Sequence, residues 1–303
     1  MKPKKFRILL TILLATLSMI LLLWVFRKPV LAPTTFNAER AYQDVLTQVS
    51  FGARHPGSDG HQQMLTWLSD ELNRAGWSVE IQQEGTPEFP ILNLIAHRNQ
   101  GEPLILLGAH YDTREFADRD PDPQKQNLPV PGANDGASGV AVLLELARVI
   151  PPDLPVEVVL VFLDAEDQGQ IRQQDWIQGS TVLAETLLEN PQAVVIVDMV
   201  GDTDLRLPLE RNSTPELQQT LWEIAQELGY GSIFVNEPGP SLIDDHIPFI
   251  QKGIPAVDII DFDYPYWHTT SDTPDKVSPK SLKAVGDTLL EWLVKYHGNF
   301  REE

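Results

Sequence analysis

The chain has 303 residues and no cysteine, and its 43 acidic side chains outnumber 23 basic ones, for a formal net charge of −20. This length allows one large α/β domain or two small ones. So acidic a surface argues against nucleic-acid binding and favours cations and substrates with a free amine, while the lack of thiolates leaves histidine and carboxylate as metal ligands.

The N-terminal segment has the pattern of a membrane anchor. Residues 8–26 are 19 uncharged positions rich in leucine and isoleucine, long enough to cross a bilayer as one helix. No small-x-small cleavage site follows, which favours an uncleaved single-pass anchor over a signal peptide. Residues 1–7 carry four basic side chains and the linker at 27–36 carries two, which predicts a cytoplasmic tail at 1–7 and a body in the periplasm or outside the cell.

Strand and helix patterns alternate through residues 37–298, which we interpret as one domain, with residues 299–303 as a tail. Helical spacing of apolar residues predicts helices at 62–75, 137–149, 215–228 and 279–296. Continuous apolar runs predict strands buried on both faces at 104–109, 156–163, 193–197 and 256–260. The alternation indicates an α/β fold, a three-layer α/β/α sandwich with a mixed, largely parallel central sheet.

Ionisable residues follow the ends of three predicted strands. His110 and Asp198 come directly after two of them, and the adjacent pair Glu166 and Asp167 follows a third. Sites in open α/β sheets lie beyond the carboxyl ends of the strands, so we expect these side chains to meet. Two neighbouring carboxylates are costly unless a cation or a proton intervenes. One of the pair is therefore expected to bind metal while the other moves protons.

Three further residues extend this pattern, and each also has a purely structural interpretation. Asp135, in Gly-Ala-Asn-Asp-Gly, is either a ligand or the N-cap of the following helix. His268 follows Tyr-Pro-Tyr-Trp and is either a ligand or part of an aromatic core. Asp112 either orients His110 or closes a hydrogen-bonded turn. The joint pattern, rather than any single residue, predicts a zinc site.

Six ordered motifs resemble the zinc-dependent glutaminyl cyclases of animal and bacterial type, within the zinc aminopeptidase superfamily, metallopeptidase family 28. They are His110-x-Asp112, Gly-Ala-Asn-Asp135-Gly, Asp-Ala-Glu166-Asp167, Asp198-Met-Val-Gly, Asp244-Asp245-His246-Ile-Pro-Phe and Tyr-Trp267-His268-Thr. The resemblance spans roughly residues 37–298. It implies an acyltransferase that converts the N-terminal glutamine of peptides and proteins to pyroglutamate and releases ammonia.

The resemblance implies that Asp135, Asp167 and His268 bind one catalytic zinc ion. Glu166 is then the acid/base that carries a proton from the attacking α-amine to the departing ammonia, while zinc polarises the side-chain amide as a Lewis acid. Ring closure within one bound residue needs no outside water.

Further residues match the family's active site less directly. Asp198 and Asp244 match additional active-site acids, and Trp267 and Tyr264 match pocket aromatics. Trp176, ten residues beyond Glu166, is a candidate for another wall of the pocket. Asp245 and His246 are expected to hydrogen-bond within their turn.

Two positions depart from the animal enzymes. Asp167 stands where they have a second glutamate, and Asp258 stands where they have a histidine in a buried strand. We therefore expect the hydrogen-bond network around Asp244 and Asp198 to differ.

A two-zinc aminopeptidase is the main alternative, because all five of its ligands are present. His110 and Asp198 would hold a second ion, Asp135 would bridge, and Glu166 would activate a metal-bound water to cut a peptide bond. Asp167, the aromatic cluster before His268 and the Asp-Asp-His motif favour the cyclase. A catalytically silent binding domain is the third alternative, and the complete set of catalytic positions disfavours it.

The segment 114–131 is rich in charge and proline, and we expect it to form an exposed lid or rim. A calcium site there is the alternative, but the spacing of its acids fits no EF-hand pattern.

Overall fold

The computed structural model describes residues 35–98, 104–154 and 156–295. The predicted cytoplasmic tail, anchor and C-terminal tail lie outside these ranges, as does most of the predicted linker, and they stay predictions. Within the described ranges, no helix is long and apolar enough to cross a membrane.

The described residues form seven α-helices and eight strands. The helices are α1 (Ala38–Ser50), α2 (Asp59–Arg74), α3 (Ala137–Val149), α4 (Gln178–Thr186), α5 (Pro215–Glu227), α6 (Ile247–Gln251) and α7 (Pro279–Lys295). The strands are β1 (Ser78–Thr86), β2 (Phe89–His97), β3 (Leu104–His110), β4 (Glu157–Leu163), β5 (Ala193–Asp198), β6 (Leu207–Leu209), β7 (Phe234–Pro238) and β8 (Ala256–Ile260).

All eight predicted elements are confirmed, with ends that differ by at most a few residues. Helix α2 begins before its predicted start because the Ser58 side chain caps it by accepting a hydrogen bond from the His61 amide. Sequence patterns missed the hairpin of β1 and β2, because β1 is mostly exposed and lacks a clear apolar face. They also missed the five-residue α6, which is too short to show helical periodicity.

The main sheet has six strands in the order β1-β2-β4-β3-β5-β8. Strands β4, β3, β5 and β8 run parallel to one another, while β1 and β2 are added antiparallel at one edge. The predicted α/β class with a mixed sheet is confirmed. Because β3, β4 and β5 are parallel neighbours, their carboxyl ends meet at one edge of the sheet.

Apolar residues of the sheet alternate between two faces, and helices cover both. In β5, Val194 and Ile196 pack on one face with Leu183 of α4 and Phe249 of α6. The intervening residues of β5 pack on the other face with α1, α3 and α7. The two apolar clusters make a helix, sheet and helix arrangement in which the strand ends remain available for polar residues.

Helix α3 approaches the sheet closely where it begins. A Cβ atom at Gly139 would lie 2.1 Å from the Val197 carbonyl oxygen, so only glycine permits this contact. Because Asp135 lies just before α3, the close packing holds it beside Asp198 at the end of β5.

The segment 114–131 is mostly exposed, as predicted, and a few buried residues anchor it to the rest of the domain. Arg114, Asp120 and Val130 are at most 3% exposed. The Arg114 guanidinium donates to the Asp167 carbonyl oxygen at 2.7 Å, and the Asp120 carboxylate accepts from the Thr270 amide at 3.0 Å. Arg114 and Asp120 thus bond to other parts of the protein, and these bonds hold the segment at the edge of the sheet where the strands end.

Candidate metal centre and catalytic cavity

Six predicted site residues converge at the carboxyl edge of the sheet. They come from strand ends and the loops beside them, and each is at most 8% exposed: His110, Asp135, Glu166, Asp167, Asp198 and His268. The sheet order explains this convergence, because β3, β4 and β5 are neighbours and the other two residues lie in loops that pack against their ends.

Asp135, Asp167 and His268 form the first candidate ligand group. Their ligand-type atoms all lie within 4.8 Å of one another. His268 Nε2 lies 2.7 Å from Asp167 Oδ1 and 3.7 Å from Asp135 Oδ2. Two carboxylates and an imidazole at these separations are a common zinc donor set.

His110, Asp135 and Asp198 form a second candidate group that shares Asp135 with the first. His110 Nε2 lies 3.0 Å from Asp198 Oδ1 and 3.2 Å from Asp135 Oδ1. One carboxylate between two such groups is the arrangement expected of a bridging ligand. The geometry therefore accommodates either one or two ions.

Unpaired oxygens support metal binding at the first group. Asp135 Oδ2 and Asp167 Oδ2 are buried without a hydrogen-bond partner among the described residues. A buried carboxylate oxygen without a partner is costly, and a bound cation removes that cost. The residues present therefore fit a zinc ion.

Asp112 supports the loop that carries the acidic pair. Its Oδ1 accepts from the Glu166 amide at 3.1 Å, and its Oδ2 accepts from Gln168 Nε2 at 2.9 Å. Asp112 Oδ1 also lies 3.4 Å from His110 Nδ1. It therefore orients one candidate ligand and the acidic loop together.

Asp272 and Arg54 support the Asp135 loop, and the sequence patterns did not reveal either. The Asp272 carboxylate accepts from the amides of Asn134 and Asp135. The fully buried Arg54 guanidinium donates to the carbonyl oxygens of Pro131 and Gly132. Burial lowers the pKa of Arg54 to about 10, which leaves it charged at neutral pH. Neither residue belongs to a recognisable motif, so only their tertiary contacts identify them.

A cavity of about 240 Å³ opens beside the two ligand groups. The Trp267 ring stacks on His268 with centroids 3.7 Å apart, and the Trp176 ring lies parallel to His268 at 6.0 Å. Glu166 and Asp244 line the cavity as predicted for active-site acids, and its apolar rim includes Ile243 and Phe262, which the sequence patterns missed.

Tyr264 does not line this cavity, so its place as a pocket residue is corrected. It is 3% exposed, and its hydroxyl donates to Asp272 Oδ1 at 2.7 Å. The backbone turns between Tyr264 and Trp267, so that only the tryptophan faces the cavity. Tyr264 instead holds the carboxylate that supports the Asp135 loop.

Burial and neighbouring charges perturb the acids of the cavity. Burial raises the pKa of Glu166 well above its usual range, and the charges of Asp167 and Asp244 add to this rise. Burial also raises the pKa of Asp244 well above its usual range. Acids whose pKa values are perturbed in this way occur often at catalytic sites, where they transfer protons.

A second acidic cluster lies behind Asp244. Asp244, His246 and Asp258 have ligand-type atoms within 4.8 Å of one another. His246 is fully buried and lies 3.3 Å from Glu210 Oε2, so it faces a neighbouring loop and does not bond within its own turn as expected. Burial and the charge of Asp244 raise the pKa of Asp258 well above its usual range.

This geometry matches a known family. The model of peptidase family M28 matches residues 93–293. The chain belongs to peptidase family M28. The glutaminyl-peptide cyclotransferase-like protein of Bos taurus is 28% identical over 284 residues, which cover 81% of this chain and 72% of the relative. The resemblance predicted from the motifs is confirmed.

Solved structures of M28 relatives share the fold. The glutaminyl cyclase of Porphyromonas gingivalis has a TM-score of 0.82 and 34% identity, covering 86% of this chain and 98% of that chain. A Zn-dependent exopeptidase from Parabacteroides distasonis also has a TM-score of 0.82, with 32% identity, covering 88% of this chain and 100% of that chain. The protein is thus an enzyme of the zinc-dependent M28 superfamily.

The Trp176 ring packs directly against the backbone of Gly169, where there is no room for a side chain. This contact gives a first testable prediction for this M28 enzyme. A Cβ atom at Gly169 would lie 2.0 Å from Trp176 Cδ2, so Gly169→Ala should displace the indole from the cavity wall. We expect a severalfold rise in KM for the substrate and a shift in tryptophan fluorescence. If the effect acts through the ring, adding Gly169→Ala to a Trp176→Ala variant should change KM little further. Additive effects of the two substitutions would contradict this account.

Buried carboxylates predict the pH dependence of stability in the metal-free protein. Burial raises the pKa values of Asp245 and Asp272 to about 7. Because these values exceed the unfolded value of about 4, the folded state binds these protons more tightly. The stability that these groups contribute is present below about pH 4 and is lost as the pH rises through 7. The Tm of the metal-free protein should therefore fall by several degrees between about pH 5.5 and 8. The Tm of Asp245→Asn should fall less over the same range. An equal fall in the two proteins would contradict a raised pKa for Asp245.

Proposed function

We propose that this protein is a zinc-dependent glutaminyl-peptide cyclotransferase, which converts an N-terminal glutamine to pyroglutamate and releases ammonia. The observation that carries this proposal is the small aromatic-walled cavity that places Glu166 beside the group of Asp135, Asp167 and His268. Relatives named glutaminyl cyclase support the same conclusion.

The size of the cavity favours a single bound residue. Its volume of about 240 Å³ lies below the roughly 300–1,000 Å³ of pockets that enclose drug-sized ligands. Trp176 and Trp267 close it on two sides of His268. A glutamine confined there is held with its α-amine near its own side-chain amide, and this proximity supplies much of the rate of ring closure.

Zinc, when bound by Asp135, Asp167 and His268, supplies a Lewis acid for the side-chain carbonyl oxygen. Glu166 accepts a proton from the α-amine as the new carbon–nitrogen bond forms. It then delivers that proton to the departing nitrogen as the amide bond breaks, so that ammonia leaves and no net proton is consumed. The raised pKa of Glu166 suits both halves of this transfer.

Acidic residues around the cavity suit a substrate that carries a free amine. Asp198 and Asp244 both line it, and each is about 6% exposed. Their carboxyl oxygens can accept hydrogen bonds from an α-amine, and the net negative charge of the chain attracts the N-terminus of a peptide.

A two-zinc aminopeptidase is the second candidate function, because His110, Asp135 and Asp198 form a further ligand group. In that enzyme Glu166 would take a proton from water and the peptide bond after the first residue would break. The solved structure of a Zn-dependent exopeptidase with the same fold supports this candidate. The relatives and solved structures named glutaminyl cyclase favour the cyclase over this candidate.

A paired assay separates the two functions. The full-length protein, loaded with zinc, is incubated with a peptide beginning with glutamine and with a matched peptide beginning with leucine. We expect ammonia and a pyroglutamyl peptide from the first and no reaction with the second. Release of free leucine or free glutamine without ammonia would establish the aminopeptidase and reject the cyclase.

A further inference from the structure

A second groove begins where the catalytic cavity ends. Its volume is about 560 Å³, and it shares two wall residues, Trp176 and Ile243, with the cavity. The Ile243 side chain is 72% exposed and stands between the two spaces. These two shared residues place the groove next to the cavity.

The groove lies between helices α4 and α6 and has an apolar floor with a polar rim. Ile177, Ala184 and Pro248 form the buried floor. Thr181, Gln251 and Lys252 stand at the rim and offer hydrogen-bonding groups. An apolar floor between polar edges suits an extended peptide, whose side chain packs below while its backbone bonds at the sides.

We propose that this groove binds the residues that follow the N-terminal glutamine, with an apolar side chain of the peptide against the floor. The proposal rests on the proposed function and adds a binding site for the part of the peptide that follows the glutamine. The catalytic cavity holds one residue, so the remaining chain must lie outside it. The groove is the space that continues from its wall, and its size is sufficient for at least one further side chain.

Chain length and composition of the substrate test this proposal. With the full-length zinc-loaded enzyme, ammonia release is measured for a glutamine-glycine dipeptide and for tetrapeptides that carry glycine or leucine after the glutamine. We expect kcat/KM for the best leucine tetrapeptide to exceed that of the dipeptide about tenfold. Burial of part of one apolar side chain in the groove would give an effect of this size. Equal values for all the peptides would overturn the groove as a binding site.

Two substitutions on α4 locate the effect. Thr181→Trp places an indole in the groove and should bring the ratio of tetrapeptide to dipeptide kcat/KM close to one. Thr186→Trp is the matched control, because Thr186 lies on the same helix, is exposed and makes the same type of bond to a carbonyl four residues earlier, but does not line the groove. It should keep the wild-type ratio.

The remaining outcomes are also decisive. If Thr181→Trp lowers dipeptide and tetrapeptide turnover equally, or if Thr186→Trp changes the ratio as much, the groove does not bind the substrate. If the wild-type enzyme releases no ammonia from any of these peptides, the proposed function fails and the groove proposal falls with it. Ammonia release from the tetrapeptides but not from the dipeptide would support both proposals. Dipeptide turnover without a preference for longer peptides rejects the groove alone.

Discussion

Glu166→Gln is expected to lower kcat for ammonia release by about 10²- to 10⁴-fold, the usual contribution of a positioned proton carrier. The amide has almost the volume of the carboxylate, so the cavity keeps its shape. It cannot accept the proton of the attacking amine, so cyclisation stalls. Because Glu166 is not in either ligand group, zinc content by elemental analysis should equal that of the wild type.

A matched control separates this effect from a general loss of charge. Glu189 is exposed and lies in a loop away from the cavity, so Glu189→Gln should leave both turnover and zinc content unchanged. Wild-type-like turnover in Glu166→Gln would remove the proposed proton carrier. Loss of zinc in the same variant would show instead that Glu166 is a ligand.

His268→Ala is expected to release the catalytic ion and abolish turnover, since it removes the only neutral donor of the first ligand group. The buried Asp135 and Asp167 carboxylates would then lie together without the imidazole that contacts both. Elemental analysis after dialysis and the ammonia assay should both fall to background.

His110→Ala distinguishes one ion from two. In a one-zinc cyclase this variant keeps one ion per chain, because His110 is a member of the second group and not of the first. In a two-zinc enzyme it lowers the content from two ions to one. His97→Ala, at the end of strand β2, is the matched control and should change neither count, because His97 belongs to neither ligand group. Full retention of zinc by His268→Ala would contradict the assignment of the first group.

One of the two positions at which the sequence departs from the animal enzymes, Asp258, lies in the cluster of Asp244, His246 and Asp258 behind the cavity. Asp258, which replaces a histidine, lies 3.8 Å from His246 Nδ1. His246 in turn lies beside Glu210, whose pKa is held at about 2 by its contact with His246 and by backbone hydrogen bonds that outweigh the effect of burial. A histidine is therefore still present at this cluster, but it comes from the Asp-Asp-His motif and not from β8. The expected difference from the animal enzymes in the network around Asp244 stays a prediction.

The sequence by itself determined the four parallel strands of the main sheet and four of the seven described helices. It also determined the types of residue at the strand ends, because apolar periodicity and turn residues act over short distances. It also determined which acids stand next to each other, as Glu166 and Asp167 do. These local features were enough to predict an α/β fold and a zinc site at the carboxyl edge of its sheet.

Only the tertiary structure decided which side chains meet. The order β4-β3-β5 brings His110 within 3.0 Å of Asp198, which is 88 positions away in the chain. The same packing turned Tyr264 away from the cavity, buried Arg54 under the Asp135 loop and placed the groove along α4 beside the catalytic cavity. These outcomes depend on contacts between distant segments, and no local pattern of residues specifies such contacts.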